Sequence, residues 1–334
     1  MRSLYKALLV SASIAGLVAC GGGGPSAPTR IPTHTVTVVL YYDQDGNNVL
    51  DGADPVRIPN AMVSIGGVSG RTDATGHATI VAVPEGMQTM TVSTESLPPY
   101  FTVAPLSLGV PTNGEVRLPA LLPISPRMVR NKYMGFGDSL SFGTYEEPLE
   151  AQLRGYFGLG SVVDEGLSGT RSDKGAQRIG EALDYARPAH TMILYGTNDW
   201  NDRACKEDTF PCFTIDSLRT MIREAKLAGS MPYIATLPPV NVGFNFQAPP
   251  EREEWTQRMN DLIRKLARDE GVVLVDLHKV LSAAPNRASL YDDYVHPNRQ
   301  GQNLMAQEFF KALTQRQAAG AASLPYILNF SGPS

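Results

Sequence analysis

The chain has 334 residues, of which 43% are hydrophobic and 19% are charged, and its formal net charge at pH 7 is −4. This length allows about two domains, and the composition supports a buried core rather than a largely disordered chain. Nucleic-acid binding depends on neutralising phosphates, so a mildly acidic chain with no basic run is a poor candidate for it. We therefore expect a folded protein with no nucleic-acid partner.

The start of the chain, residues 1–19, has the pattern of a secretory signal peptide. Arg2 and Lys6 precede an apolar stretch from residue 7 to residue 19. That stretch is shorter than the about 20 residues a membrane span needs, but it suits the apolar region of an export signal. The sequence LVAC ending at Cys20 resembles the lipobox of bacterial lipoproteins, which implies cleavage before Cys20 and lipidation of its thiol. An ordinary signal peptide with an incidental cysteine is the alternative.

Residues 20–33 are expected to form the lipidated cysteine and a flexible tether. They are rich in Gly, Pro and Ser, a composition typical of flexible linkers. Gly21 follows the cysteine, whereas in Gram-negative lipoproteins an Asp there favours retention in the inner membrane. The resemblance therefore implies an exported protein anchored by acyl chains such as palmitate, with the outer membrane of a Gram-negative bacterium favoured.

Residues 34–122 read as an all-β domain. Runs rich in β-branched and aromatic residues, such as Thr35–Tyr42 and Ala78–Val83, alternate with turns rich in Gly, Asp, Asn and Pro. No helical period appears in this region. Short strands at this spacing predict a small all-β sandwich.

One acidic loop of this domain, Asp43–Asp54, has the spacing of a cation site. Oxygen donors recur at loop positions 1, 3, 5, 7, 9 and 12, a pattern that lets a short turn wrap a hard cation. Asn48 stands where Gly is usual, and Asp54 replaces a bidentate Glu, which should weaken the site. The candidate ligands are Asp43, Asp45, Asn47, the Val49 carbonyl, Asp51 and Asp54.

The segment from Val38 to Val92 resembles the B-type repeats of bacterial surface adhesins and related transthyretin-like domains. It shares their Asp/Asn-rich loop, the turn Thr72–Gly76 and the late turn Pro84–Gly86. The resemblance implies a structural Ca²⁺ in the acidic loop. A solvated turn without a cation is the alternative.

The remaining sequence changes from a β pattern to an alternating one. Prolines mark residues 123–129 as a stiff linker, and the tail 316–334 stays unassigned. Between them, residues 130–315 alternate short apolar runs with amphipathic helices such as Glu251–Glu270, which predicts a parallel sheet with helices on both faces. The predicted strands are Lys132–Phe136, Ser161–Asp164, Thr191–Tyr195, Met231–Leu237 and Val272–Asp276.

Four short motifs fall at strand ends, where parallel sheets bind ligands, or beside the last helix. In chain order they are Gly135-Phe136-Gly137-Asp138-Ser139, Gly166-Leu167-Ser168-Gly169, Gly196-Thr197-Asn198-Asp199 and Asp293-Tyr294-Val295-His296. Together they resemble the SGNH, or GDSL, hydrolase family over residues 130–315. The resemblance implies a flavodoxin-like α/β/α sandwich with a five-stranded parallel sheet, and an esterase activity that needs no cofactor for catalysis.

A catalytic triad can be assigned within these motifs. A serine hydroxyl needs an adjacent base that a third group orients, and Ser139 with His296 and Asp293 meets that need. Ser139 should open a helix after its strand, and the spacing of three should place Asp293 and His296 on one side of a helical turn. Asp292 is the alternative acid.

The resemblance also implies an oxyanion hole. The donors of the family correspond to the main-chain N–H groups of Ser139 and Gly169 and to the side-chain amide of Asn198. Gly166 is the alternative glycine, and Asn198 could instead be an ordinary turn residue.

Two further cysteines, Cys205 and Cys212, are seven residues apart in a chain expected to be exported. This spacing and setting predict a local disulfide that stiffens the loop beyond Asn198.

The sequence thus predicts a membrane-tethered serine esterase or lipase-like hydrolase acting on small-molecule, lipid or glycan esters. The alternatives are a surface adhesion lipoprotein with a vestigial hydrolase domain, and a carbohydrate deacetylase.

Overall fold

The computed structural model describes residues 30–206 and 209–315. The expected signal peptide, Cys20 and most of the tether lie outside the described residues, as does the tail from residue 316. From Thr33 onward the described residues belong to one compact unit. Within the described ranges, no helix is both long enough and apolar enough to cross a membrane.

The N-terminal β region forms two sheets. A three-stranded sheet has the order β4-β1-β7, and a four-stranded sheet has the order β3-β2-β5-β6. Strand β1 pairs antiparallel with β4 and parallel with β7. The strands are β1 (Thr33–Tyr42), β2 (Met62–Ile65), β3 (Val68–Arg71), β4 (His77–Pro84), β5 (Gly86–Val92), β6 (Leu106–Val110) and β7 (Val116–Ala120).

The C-terminal region is a parallel five-stranded sheet with helices around it, which confirms the predicted fold class. Its strand order is β12-β11-β10-β8-β9, and every pairing is parallel. The strands are β8 (Val129–Gly137), β9 (Ser161–Gly166), β10 (Pro188–Leu194), β11 (Met231–Ala235) and β12 (Val273–Val275). The helices are α1 (Glu146–Phe157), α2 (Ser172–Ala186), α3 (Arg203–Lys206), α4 (Thr214–Ala228), α5 (Pro250–Asp269), α6 (Leu277–Ala283) and α7 (Arg299–Thr314).

The second half of β1 joins the N-terminal β region to the α/β region. The Tyr42 ring meets the rings of Phe101 and Phe157 edge-on, with centroids 4.8 and 5.2 Å apart. The Tyr42 hydroxyl donates to the Thr314 carbonyl at 3.3 Å, which ties β1 to the end of α7. Aromatic pairs in this arrangement add to the free energy gained by burying their area, so the two regions share one hydrophobic core.

The proline-rich boundary packs against the α/β region. The Ser125 N–H donates to the Gly229 carbonyl at 3.1 Å, just beyond the end of α4. Gly229 has a φ of +80°, and a Cβ there would lie 2.9 Å from the Ser125 nitrogen. The chain therefore enters β8 from a fixed position, and β8 ends two residues before Ser139.

Candidate active site

Ser139 lies in a turn rather than at the start of a helix, so this part of the sequence prediction is wrong. Strand β8 ends at Gly137, and α1 begins only at Glu146. The turn closes on Asp138, whose carboxylate accepts the Leu140 N–H at 2.9 Å and whose carbonyl accepts the Ser141 N–H at 3.1 Å. Side-chain capping of this kind competes with helix formation, and it leaves the Ser139 hydroxyl at the strand end.

Asp138 is itself fully buried. Burial raises the pKa of its carboxyl to about 7, the charge of Asp199 raises the pKa further, and the hydrogen bond from Leu140 opposes both. Through the hydrogen bond from Leu140, the Asp138 carboxyl stabilises the turn that holds Ser139.

Asp293 and His296 share a bend and not the helical turn expected from their spacing. One Asp293 oxygen accepts the main-chain N–H groups of Val295 and His296, each at 2.8 Å. A carboxylate that caps its own loop fixes a short bend as firmly as a helical turn would. The Asn298 side chain accepts two N–H groups at the start of α7, which anchors the far end of the bend.

The structure brings Ser139, His296 and Asp293 into one hydrogen-bonded chain. His296 Nε2 lies 2.8 Å from Ser139 Oγ, and His296 Nδ1 lies 2.7 Å from the second Asp293 oxygen. The side chains of His296 and Asp293 are 39% and 34% exposed, so the site opens to solvent. The pKa of Asp293 is lowered: its partial burial raises it, but the His296 ring and the two N–H donors outweigh burial. Asp292 makes no such contact with the ring; its N–H donates to the His296 carbonyl.

The two main-chain donors expected of an oxyanion hole are available. Among the described residues, none accepts a hydrogen bond from the N–H of Ser139 or of Gly169. Gly169 has a φ of +74°, and a Cβ there would meet no atom within 4 Å, so a substrate can approach its backbone. The alternative donor Gly166 is occupied, because its N–H donates to an Asp164 oxygen at 2.8 Å.

Asn198 lies on the short 3-10 turn Thr197–Asn201, at the same edge of the sheet. Its amide nitrogen donates to the Thr170 carbonyl at 3.0 Å. This bond orients the Asn198 side chain beside the serine turn, where it also acts on the Asp138 carboxyl and lowers its pKa.

Sequence reasoning missed the polar residues that hold these turns. Asp199 is fully buried and accepts hydrogen bonds from Ser172 N and Thr214 Oγ1 at 2.9 and 2.6 Å, which joins the starts of α2 and α4. Asn241 donates through its N–H to the Tyr294 carbonyl at 2.9 Å and through its amide to the Asp293 carbonyl at 3.2 Å. Nothing in the local sequence marks these partners, because they are distant along the chain.

Cys205 and Cys212 form a disulfide in the structure. The Trp255 indole N–H donates to the Cys205 carbonyl at 2.8 Å, which fixes this loop against α5. Two residues inside the loop, 207 and 208, lie outside the described residues.

The acidic loop of the N-terminal β region brings together three of its four candidate carboxylates. Carboxylate oxygens of Asp43, Asp45 and Asp54 lie within 4.8 Å of one another. Asp54 is fully buried, and its Oδ2 has no hydrogen-bond partner. Burial raises the pKa of Asp54, and the charges of Asp43 and Asp45 raise it further, against two main-chain hydrogen bonds. Hard oxygen donors around a buried, unsatisfied carboxylate fit a divalent cation such as Ca²⁺.

Two of the other candidates, Asn47 and Asp51, make local turn hydrogen bonds. Asn47 turns its side-chain oxygen to the Val49 N–H at 2.6 Å, and its amide donates to Asp45 and Asp51. Asp51 accepts the Ala53 N–H at 2.7 Å and lies outside the group of three. These local turn hydrogen bonds compete with cation binding for the same oxygens.

Comparison with known proteins adds a family match. The model of the GDSL-like lipase/acylhydrolase family matches residues 135–304, which include all four motifs. No curated protein matches the chain. A lipase/acylhydrolase from Enterococcus faecalis is 19% identical with a TM-score of 0.47, over 56% of this chain and 100% of that one. An acetylxylan esterase from Geobacillus stearothermophilus is 22% identical with a TM-score of 0.46, over 57% of this chain and 96% of that one.

Proposed function

The chain belongs to the GDSL-like lipase/acylhydrolase family and is a hydrolase of ester bonds, and from this premise we propose that Ser139, His296 and Asp293 cleave carboxylic esters through an acyl-enzyme. The observation that carries the proposal is the continuous chain of short hydrogen bonds, 2.8 Å from Ser139 Oγ to His296 and 2.7 Å from His296 to Asp293. Nucleophile, base and orienting acid then have the geometry that nucleophilic catalysis requires.

In the first half-reaction, Ser139 Oγ attacks the ester carbonyl carbon while His296 Nε2 takes the hydroxyl proton. Asp293 holds the proton on Nδ1 and stabilises the imidazolium that forms. The N–H groups of Ser139 and Gly169 and the side-chain amide of Asn198 stabilise the negative charge on the carbonyl oxygen. The C–O bond to the leaving group then breaks, and His296 returns its proton to the departing alkoxide as the alcohol leaves.

In the second half-reaction, water replaces the alcohol. His296 takes a proton from the water as it attacks the acyl carbon, and the same donors stabilise the second tetrahedral intermediate. Collapse expels Ser139 Oγ, which recovers its proton from His296, and the carboxylic acid leaves. The balanced reaction is ester plus water giving acid plus alcohol.

The direct test is the variant Ser139→Ala with p-nitrophenyl acetate as substrate. We expect kcat/KM to fall by at least about 10⁴-fold, with an unchanged melting temperature. Ser168→Ala is the matched control, because Ser168 is an exposed serine at the same edge of the sheet. A Ser139→Ala variant that keeps its activity contradicts the assignment. A wild-type protein without turnover that binds glycan or protein tightly favours the adhesion alternative.

The substrate class is proposed as a small-molecule, lipid or glycan ester. The open triad supports this breadth, since the imidazole is more than a third exposed. A series of p-nitrophenyl esters of increasing acyl length separates the cases: activity confined to acetate favours a carbohydrate deacetylase, and rising activity with length favours a lipid ester.

We further propose that the protein is exported and tethered to a membrane by lipidated Cys20. The support is the signal pattern and LVAC sequence, together with the Gly-rich segment that follows. Labelling with a palmitate analogue in a Gram-negative host tests this. Wild type should take up the label and fractionate with the outer membrane, and Cys20→Ser should not.

A structural Ca²⁺ in the acidic loop is also a proposal. Asp43, Asp45 and the unsatisfied Asp54 oxygen would hold it. The loop lies where the two regions meet: Asn131 at the start of β8 donates to the Gln44 carbonyl at 3.1 Å, and Gln44 donates to the Phe157 carbonyl at 3.3 Å. A bound cation would therefore stiffen this junction.

A further inference from the structure

A buried arginine at the start of α5 has no part in the reaction described above. Arg252 is 3% exposed, and among the described residues no carboxylate forms an ion pair with it. Burying a cation without a carboxylate partner is costly. The contacts of its guanidinium group offset part of this cost.

Those contacts join three separate loops. One guanidinium nitrogen donates to the Thr197 carbonyl at 3.4 Å, and the other terminal nitrogen donates to the Gln247 carbonyl at 3.2 Å. The guanidinium carbon lies 4.9 Å from the centroid of the Tyr294 ring. Thr197 precedes Asn198, and Tyr294 follows Asp293, so one side chain reaches the neighbours of two proposed functional groups.

Arginine suits this role better than other residues. Its planar fork can donate to two carbonyls in different directions while its face stacks on an aromatic ring. Lysine offers a compact charge without the fork, and a neutral side chain offers neither. The negative charge of Asp293 also acts on this guanidinium, which partly offsets the cost of burying it.

We propose that Arg252 is a positioning residue that holds the Asn198 turn in register with the Asp293–His296 bend. The inference rests on the proposed function, since it assigns Arg252 to the placement of that same machinery. Arg252 acts through its neighbours and does not meet the reacting atoms, because it is buried beneath the loops it joins. Asn241 makes a second, parallel tie between the loop after β11 and the same bend.

The test compares Arg252→Met and Arg252→Lys with wild type, using p-nitrophenyl acetate. A displaced transition-state donor lowers kcat with little change in KM, and misplacement of about 1 Å costs up to about 10²-fold. We therefore expect kcat to fall about 10- to 100-fold in Arg252→Met, with KM within about twofold, and an intermediate loss in Arg252→Lys.

Arg258→Met is the matched control. Arg258 lies on the same helix, is exposed, and covers the Phe210 ring at 4.1 Å without contacting either functional loop. Its kcat should stay at the wild-type value.

A double-mutant cycle with Asn198→Ala separates positioning from simple destabilisation. If Arg252 acts by placing Asn198, its loss costs less once that amide is gone, so the combined effect is smaller than the product of the single effects. A multiplicative result, an unchanged kcat in Arg252→Met, or an equal loss in Arg258→Met overturns the inference and leaves the proposed function intact. A wild-type enzyme that hydrolyses no ester overturns both.

If Arg252→Met does not fold, Arg252→Lys takes its place in the same cycle. Wild-type kcat in that variant then overturns the inference.

Discussion

In two loops of this protein an aspartate side chain accepts main-chain N–H groups of its own loop. The loops differ in what contacts the remaining carboxylate oxygens. In the Asp43–Asp54 loop, Asp43 accepts the N–H groups of Gly46 and Asn48 at 2.7 and 2.9 Å. In the other loop, Asp293 caps its own bend in the same manner, but its remaining oxygen meets the His296 ring. Asp54, by contrast, keeps a buried oxygen without a partner. Both Asp293 oxygens are therefore engaged by the bend and by the His296 ring, whereas no described residue forms a hydrogen bond with one oxygen of Asp54.

Removing the Asp293 carboxylate from the triad should have the largest effect on activity. Asp293→Asn keeps the shape of the side chain but loses the carboxylate that holds the proton on His296 Nδ1. We expect a fall in kcat of about 10⁴-fold, measured with p-nitrophenyl acetate. Asp292→Asn, an exposed neighbour, should stay close to wild type. Equal losses in the two variants would reassign the acid.

Removing the Asn198 side-chain amide, an uncharged hydrogen-bond donor, should have the next largest effect on kcat. Asn198→Ala deletes an amide proposed to bind the developing oxyanion, and one such donor contributes about 10²- to 10³-fold in kcat. Asn201→Ala on the same turn, where Asn201 is exposed, is the control. If the two variants have equal kcat values, Asn198 is a turn residue only.

Glu146 is a third acidic residue to compare with Asp54 and Asp293. It is a buried carboxyl whose charge can be removed by protonation. One of its oxygens has no partner, and burial above all raises its pKa to about 8. Since the folded pKa lies above the unfolded one, its stabilising contribution is full in acid and is lost as pH rises towards that value. We expect Glu146→Gln to remove a loss of about 2–3 kcal/mol in unfolding free energy between about pH 5 and about pH 7.

The measurement is the free energy of unfolding in denaturant at each pH. Glu147→Gln is the control, since the Glu147 side chain is 78% exposed. An identical pH dependence in Glu146→Gln and wild type would show that the Glu146 carboxyl does not titrate in this range.

Adding a cation to the acidic loop should have the smallest effect. A cation that binds only the folded state at several tens of times its Kd adds about 2 kcal/mol, so Ca²⁺ should raise the melting temperature of the wild type. Asp54→Asn should abolish that rise and should be no less stable without Ca²⁺, because it removes a buried unpaired charge. Asp51→Asn, outside the group of three, should keep most of the rise. A wild type unresponsive to millimolar Ca²⁺ would contradict the cation site.

The sequence predicted what local patterns encode. The parallel strands and the order of the four motifs follow from short apolar runs and turn residues, and they place Ser139, Asn198 and His296 at one edge of the sheet. Ser139 was expected to open a helix, but the Asp138 side chain captures the next N–H groups first. Helix propensity alone does not include that competition.

The supporting contacts could not be predicted in this way. Arg252 donates to a carbonyl 55 residues away, and Asn241 to one 52 residues away. Such pairs depend on how the loops after different strands converge, which no period or spacing in one segment records. Of the four candidate carboxylates in the acidic loop, Asp51 lies outside the group of three, and one of its oxygens accepts a local turn N–H.

The aromatic contacts of Tyr42 determine where the chain can be truncated without exposing apolar surface. Cutting the chain near residue 123 would leave the Phe157 ring and the end of α7 facing water where Tyr42 now covers them. The α/β region produced alone would therefore expose an apolar surface at this position and would tend to self-associate. An N-terminal truncation should stop before Thr33, so that the N-terminal β region continues to cover this surface of the α/β region.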